Sequence, residues 1–273
     1  MARQEGQWLS LEEALTYLDN DNEWRKYQVN YPQTLGEHPS PFAILEFDVE
    51  RDDPHRIKTI KDEGTNRDPG TGHFRRLIEF KLDENGDAHV NMDETGRIHM
   101  PRDSYTIWMS DSRAEIIEHK PILDKLWLSK FIQHKRVLIN GLGLGMIAQA
   151  AASYDSVDRV DVIESNQYVI DLMAQFMPDK VNIITADALE FQPELGERWD
   201  LVWHDIWPQI SDENIPQMDA LKQKFRGRCG WQGCWQESGC RKMASLMRRV
   251  KAGDYSPQTF AAVMDFIGGK FHL

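Results

Sequence analysis

Positive charge is in short supply in this sequence. Its 273 residues carry 32 Lys and Arg against 44 Asp and Glu, a net charge of −12. No net positive field draws in a polyanion, which argues against a nucleic-acid partner gripped through its phosphates. The one basic cluster, Arg241, Lys242, Arg248, Arg249 and Lys251, reads as a solvated helix face. Cysteine is scarce too. Cys229, Cys234 and Cys240 are odd in number and spaced C-x4-C-x5-C, without the C-x2-C pairs of structural zinc sites, so free thiols and no metal are expected. Nowhere do apolar residues run to the 18 or so needed for a membrane span, and the first residues, MARQEGQWLSLEE, have no apolar signal-peptide core. The expected setting is cytoplasmic, with no membrane partner.

Two nucleotide fingerprints are missing as well. No G-x-x-x-x-G-K-[ST] stretch is present, which excludes a Walker-type triphosphate site. The dinucleotide pattern G-x-G-x-x-G fails at its third glycine, where Met146 stands. What is there instead is RVLINGLGLGM, residues 136–146, a short apolar run leading into Gly141, Gly143 and Gly145.

The chain changes rhythm along its length. Ser10 and Glu13 form a capping box ahead of Leu11, Ala14, Leu15 and Leu18, which predicts a helix over 10–27. A Pro/Gly-punctuated connector follows. From 42 to 110 the pattern becomes strands: AILEFDVE, FRRLIEFKLD, AHVNM and YTIWMS, with turns at Asn85-Gly86 and near Gly96. The polar stretch 51–73 between the first two reads as a mobile loop. The second half alternates near-continuous apolar strands with helical segments. VLIN, VDVIE, VNIITAD and DLVWHD arrive roughly every 20 residues, as a parallel sheet buried on both faces requires. The expected fold class is α/β, a Rossmann-like parallel sheet with helices on both faces, preceded by a smaller β-rich N-terminal unit. The division expected is 1–130 and 131–273. CGWQGCWQESGCR at 229–241 reads as a fifth strand and its exit, and after it the chain offers only helical segments, so the sheet is expected to be truncated or helix-covered at that edge.

In such a sheet the ligand lies beyond the carboxyl ends of the strands. The first strand ends in Asn140 and the glycine loop, where backbone without Cβ can approach a ligand closely. The second ends in Glu164, a carboxylate able to accept from both hydroxyls of a ribose. The third ends in Asp187 and Ala188, with the Asp suited to the exocyclic amine of an adenine, and the fourth in His204 and Asp205. Singly, Glu164 or Asp187 could do no more than cap a helix. Four strand ends in order, each with the residue type an adenosine ligand wants, point to an adenosine site.

VLINGLGLG, VDVIE, ITADALEF and WDLVWHDIWP together resemble the successive motifs of class I S-adenosylmethionine-dependent methyltransferases. The resemblance covers roughly residues 133–236. It implies S-adenosyl-L-methionine as cofactor, with Asn140, Gly141, Gly143 and Gly145 against its methionine and nucleoside portions, Glu164 at the ribose, and Asp187 and Ala188 at the adenine. One departure stands out: Ile139 occupies a position, two before the first glycine, that is frequently acidic. With the β-rich segment in front, this is similar to spermidine synthases, in which an Asp matching Asp205 holds the amine being alkylated. Their glycine loop usually reads G-G-G-D-G, where this chain has Leu144. An uncharged residue there does not repel the carboxylate of the intact cofactor, which favours methyl transfer over aminopropyl transfer. A nucleoside-binding protein without catalysis is the third reading.

The acceptor-side chemistry falls to Asp205 and His204: His because its pKa lies near working pH, Asp as an acceptor for an N–H or O–H. Neighbouring strand residues face opposite ways, so only one need reach the ligand, and Asp205 is the favoured one. Trp203, Trp207, Trp231 and Trp235 are candidates for an aromatic wall. Asp111, Glu115 and His119, just before the glycine strand, are candidates to face the site, as are Gln232 and Gln236. The acceptor is expected to be a small molecule or a protein side chain. A homodimer is one assembly the sequence allows without deciding it.

Overall fold

The computed structural model describes residues 23–28, 41–63, 67–82, 84, 91–92, 98–99, 104–128, 131 and 136–268. The helix expected over 10–27 therefore lies outside the described residues, save for a 3-10 turn at Glu23–Tyr27. The Asn85-Gly86 turn and the inter-domain boundary near 130 also fall largely outside them.

The front unit is an antiparallel sheet of β1 (Phe42–Val49), β2 (Gly72–Phe80) and β5 (Tyr105–Ser110), with β2 in the middle. A short ladder pairs β3 (Asn91–Met92) with β4 (Ile98–His99). The stretch read as a mobile loop holds a helix instead, α1 (Pro54–Glu63). Its start was written in the residues. Asp53 Oδ1 accepts from the N–H groups of His55 and Arg56 at 2.8 and 3.1 Å, and Pro54 takes the first helical position, where no N–H is needed. Arg56 then closes the loop with a two-pronged bond to Asp68, at 2.7 and 3.1 Å, both side chains fully buried.

Two short helices, α2 (Arg113–Glu118) and α3 (Lys120–Leu128), lead to a five-stranded sheet. Its strands are β6 (Arg136–Asn140), β7 (Arg159–Glu164), β8 (Val181–Thr185), β9 (Trp199–His204) and β10 (Cys229–Cys234). The order is β10-β9-β6-β7-β8 and every pairing is parallel. Consecutive residues Val137 and Leu138 are both fully buried, as are Leu201, Val202 and Trp203. Since neighbouring side chains point to opposite faces, both faces are covered, and this is why these strands read as unbroken apolar runs. The intervening helices are α4 (Met146–Ala152), α5 (Gln167–Met173) and α6 (Ile215–Lys224). After β10 come α7 (Glu237–Lys251) and α8 (Pro257–Gly268), so among the described residues no antiparallel strand extends the sheet. The fold is Rossmann-like, with its strand order reversing at β6 between β9 and β7. That switch point opens a crevice at the carboxyl edge.

Far from that edge, Asp161 anchors the sheet's amino end. It accepts from Trp199 Nε1 at 2.9 Å, from Arg159 at 2.7 Å, and from Arg136 and Asn182. Burial works to raise its pKa, but these donors outweigh it and hold the carboxyl below its usual range. None of the described residues forms a helix long and apolar enough to cross a membrane.

Candidate functional site

A cavity of about 300 Å³ lies at the switch point, lined from five strand ends and loops and from the front unit. Gly141, Leu142 and Gly143 of the glycine loop line it, and Gly145 is not among the lining residues. Gly141, Gly143 and Gly145 have φ values of +100°, +49° and +69°, a left-handed region that side chains disfavour. A Cβ on Gly143 would fall 2.1 Å from Met109 Sδ, which receives the Leu144 N–H at 2.8 Å. Met109 sits on β5, so a thioether from the front sheet lies directly on the loop.

Glu164 ties the loop to the end of β7. One oxygen accepts from the Leu142 N–H at 2.9 Å, the other from the Asn166 N–H at 2.8 Å. It does not cap α5, because Asn166 does so with its own side chain. Each carboxylate oxygen keeps a further lone pair, and Glu164 lines the cavity. Asp187 also lines it while accepting from the Leu189 N–H at 2.7 Å, a turn-closing role it fills alongside any other. Ala188 is buried beside it. Behind this turn Lys224 donates to the carbonyls of Ala188 at 3.0 Å, Phe191 at 2.9 Å, and Leu189.

Asp205 and His204 part company. Asp205 lines the cavity with about a fifth of its side chain exposed. His204 is fully buried and is not among the cavity-lining residues. Its Nδ1 accepts from Asn140 Nδ2 at 2.6 Å and its Nε2 donates to Gln232 Oε1 at 3.2 Å, which makes the ring neutral. Burial pushes its pKa down to about 4. The structure thus places His204, expected as a catalytic residue, away from the cavity with both ring nitrogens partnered in the core. The Asn140 side chain, expected at the cofactor, is turned to His204 and lies behind the cavity. Gln232 is spent in the same way, and Gln236 does not reach the cavity.

The aromatic wall is only half the one expected. Trp207 and Trp235 line the cavity, while the buried Trp203 stacks on the half-buried Trp231, 6.3 Å apart and nearly parallel. Trp108, from β5, supplies a ring that motif reading missed. It is anchored by its indole N–H on Glu79 at 3.1 Å. Of the three candidates before the glycine strand, Asp111 is turned to β2, accepting from the Arg75 N–H at 2.6 Å. Glu115 lines the cavity. His119 is fully buried and places Nε2 2.7 Å from Asp205 Oδ2.

Leu144 is fully buried in the core and is not a cavity-lining residue. A side chain that does not face the cavity cannot select for or against a ligand carboxylate there, so that argument for methyl transfer loses its footing. The three cysteines are free thiols.

No protein-family model matches the sequence. Among curated proteins the chain is similar to polyamine aminopropyltransferases. That of Lachnospira eligens is 28% identical over 103 residues, 35% of each chain. That of Clostridium botulinum is 24% identical over 163 residues, 48% of this chain and 56% of the other. Polyamine aminopropyltransferase 1 of Pseudomonas aeruginosa is 28% identical over 124 residues, 42% and 41%. The chain thus spans from about a third to a little over half the length of these relatives. Solved structures that match include a DhpI–SAH complex, 17% identical, covering 41% of this chain and 52% of that one at a TM-score of 0.32. CalS10, an amino pentose methyltransferase from Micromonospora echinaspora with bound SAM, matches at 18% identity, 39% and 44% coverage and a TM-score of 0.31. Each of these matches covers only part of the chain.

Proposed function

We propose that the protein is a transferase that uses S-adenosyl-L-methionine and moves its methyl group to a small molecule or a protein side chain. The observation that carries this reading is the position of Glu164: one carboxylate, bonded to the glycine loop on one side and to the start of α5 on the other, opening into the same cavity as Asp187 and Asp205. The residues present fit an adenosyl group. Gly141 and Gly143 bring the loop backbone to the cavity wall, Glu164 has lone pairs left for two hydroxyls, and Ala188 is small beside Asp187.

The bound sulfonium would supply an electrophilic carbon with a good leaving group. The chain's own tasks are then to position and to exclude water. Trp108, Trp207 and Trp235 wall the acceptor end, and Asp205 accepts a hydrogen bond from the acceptor and can take its proton. Calorimetry with S-adenosylhomocysteine tests the reading. Binding that falls away in Glu164→Ala is expected, and saturating ligand that fails to bind the intact protein would overturn it.

Aminopropyl transfer is the second reading. It is favoured by the curated relatives, and the core position of Leu144 leaves no residue there to select between the intact and the decarboxylated cofactor. Titration with S-adenosylmethionine and with its decarboxylated form separates the two.

A further inference from the structure

The acceptor end of the cavity contains a charge partnership that group transfer alone does not call for. His119 joins α2 to α3 and is fully buried, its ring 6.0 Å from that of Trp203. Its Nδ1 lies 2.9 Å from the Glu115 carbonyl and its Nε2 lies 2.7 Å from Asp205 Oδ2. A carbonyl can only accept, so Nδ1 carries hydrogen, and Nε2 is left to share its proton with Asp205. The titratable groups that face His119 are Asp205, from the end of β9, and Glu115, from α2. Beyond them Glu118, paired with Arg67, faces Glu115.

Burial works to lower the His119 pKa, but the charge and hydrogen bond of Asp205 outweigh it and bring it to about 9, so the ring is an imidazolium at neutral pH. Glu115 goes the other way. Burial first, and Glu118 second, push its pKa up to about 8, and it keeps its proton. One carboxylate, one imidazolium and one neutral acid sum to no net charge. Three indole rings, Trp108, Trp207 and Trp235, line the same cavity as Asp205, and without His119 that set would be well suited to trapping a cation.

Resting on the reading of Asp205 as the acceptor-side residue, we infer that His119 determines acceptor specificity. As the resident counter-ion of Asp205, it reserves this end of the cavity for an uncharged reacting group and keeps a cationic one out. A second positive charge about 6 Å from the imidazolium, at an effective dielectric near 20, loses on the order of a hundredfold in affinity. An amine acceptor would have to arrive neutral.

Two probes of the same shape differ only in charge: choline, a permanent cation, and 3,3-dimethylbutan-1-ol, its uncharged isostere. Their binding is measured by calorimetry on the full chain saturated with S-adenosylhomocysteine. At pH 7 the intact protein is expected to bind the alcohol at least as tightly as choline. His119→Gln should bind choline tenfold or more tighter, with the alcohol unchanged. In the intact protein, choline should gain affinity between pH 7 and 10 as the imidazolium loses its proton, and Glu115→Gln should retain the part of that gain that belongs to His119. The pH series decides the matter even if His119→Gln does not fold. Choline preferred at pH 7 by the intact protein, choline affinity indifferent to His119→Gln and to pH, or neither probe bound in any form overturns the inference. Failure of S-adenosylhomocysteine to bind sinks the nucleoside reading instead.

Discussion

Gly141 and Asp205 directly follow the adjacent strands β6 and β9 at the switch point, so close that a Cβ on Gly141 would fall 1.9 Å from the Asp205 carbonyl oxygen. The Asp205 N–H in turn donates to the Asn140 carbonyl at 2.8 Å. The glycine sets how near Asp205 comes to the glycine loop. Gly141→Ala meets backbone rather than a flexible side chain, at a φ of +100°. It should cost roughly 3 kcal/mol of stability. Urea denaturation reads that loss, and an unchanged midpoint would show that the strands separate freely.

Glu164 bridges the loop and the end of β7 through charged hydrogen bonds. Glu164→Gln keeps the shape but replaces one acceptor oxygen with a donor that faces an N–H. S-adenosylhomocysteine affinity should fall about 10- to 100-fold, the range for losing a charge-assisted bond. Equal affinity in calorimetry would place the ribose elsewhere.

Lys224 gathers three carbonyls of the turn that carries Asp187 and Ala188. Lys224→Met leaves them without that donor and loosens the turn. Nucleoside affinity should drop about tenfold, with Lys224→Arg recovering part of it. Affinity that stays put while the thermal midpoint falls would mark the lysine as structural alone.

Two histidines should shape the pH dependence of stability in opposite directions. The folded pKa of His204 lies near 4, below its ordinary 6.5, so the unfolded chain takes up a proton first as pH falls and stability is lost between about 6.5 and 4. The folded pKa of His119 lies near 9, above 6.5, so its contribution is full below about 6.5 and is lost as pH rises through 9. Each slope is at most about 1.4 kcal/mol per pH unit. His204→Gln should flatten the acid limb and His119→Gln the alkaline limb in denaturant titrations. A variant that shifts the whole curve without changing its slope would contradict the assignment.

The alternation of strands and helices in the second half was legible because it is local: an apolar run buried on both faces, glycines at the positive φ values of the loop after β6, a carboxylate at a strand end. For the same reason Asp53-Pro54 was a readable helix start, though the polarity of the stretch around it pointed to a loop. Which of two neighbouring residues faces the cavity was less legible. His204 and Asp205 differ only in strand parity, and the Leu144 argument assumed an orientation that packing reversed.

From the sequence alone came the parallel sheet, the glycine loop and the acidic residues at its carboxyl edge, since backbone sterics and periodicity act over a few residues. The tertiary structure decided the rest of the site: Met109 on the glycine loop, Trp108 in the wall, and His119 against Asp205, 86 positions away. Those contacts depend on how the front sheet and the α2–α3 turn pack against the strand ends. Neighbours brought together by packing leave no periodic trace in the chain.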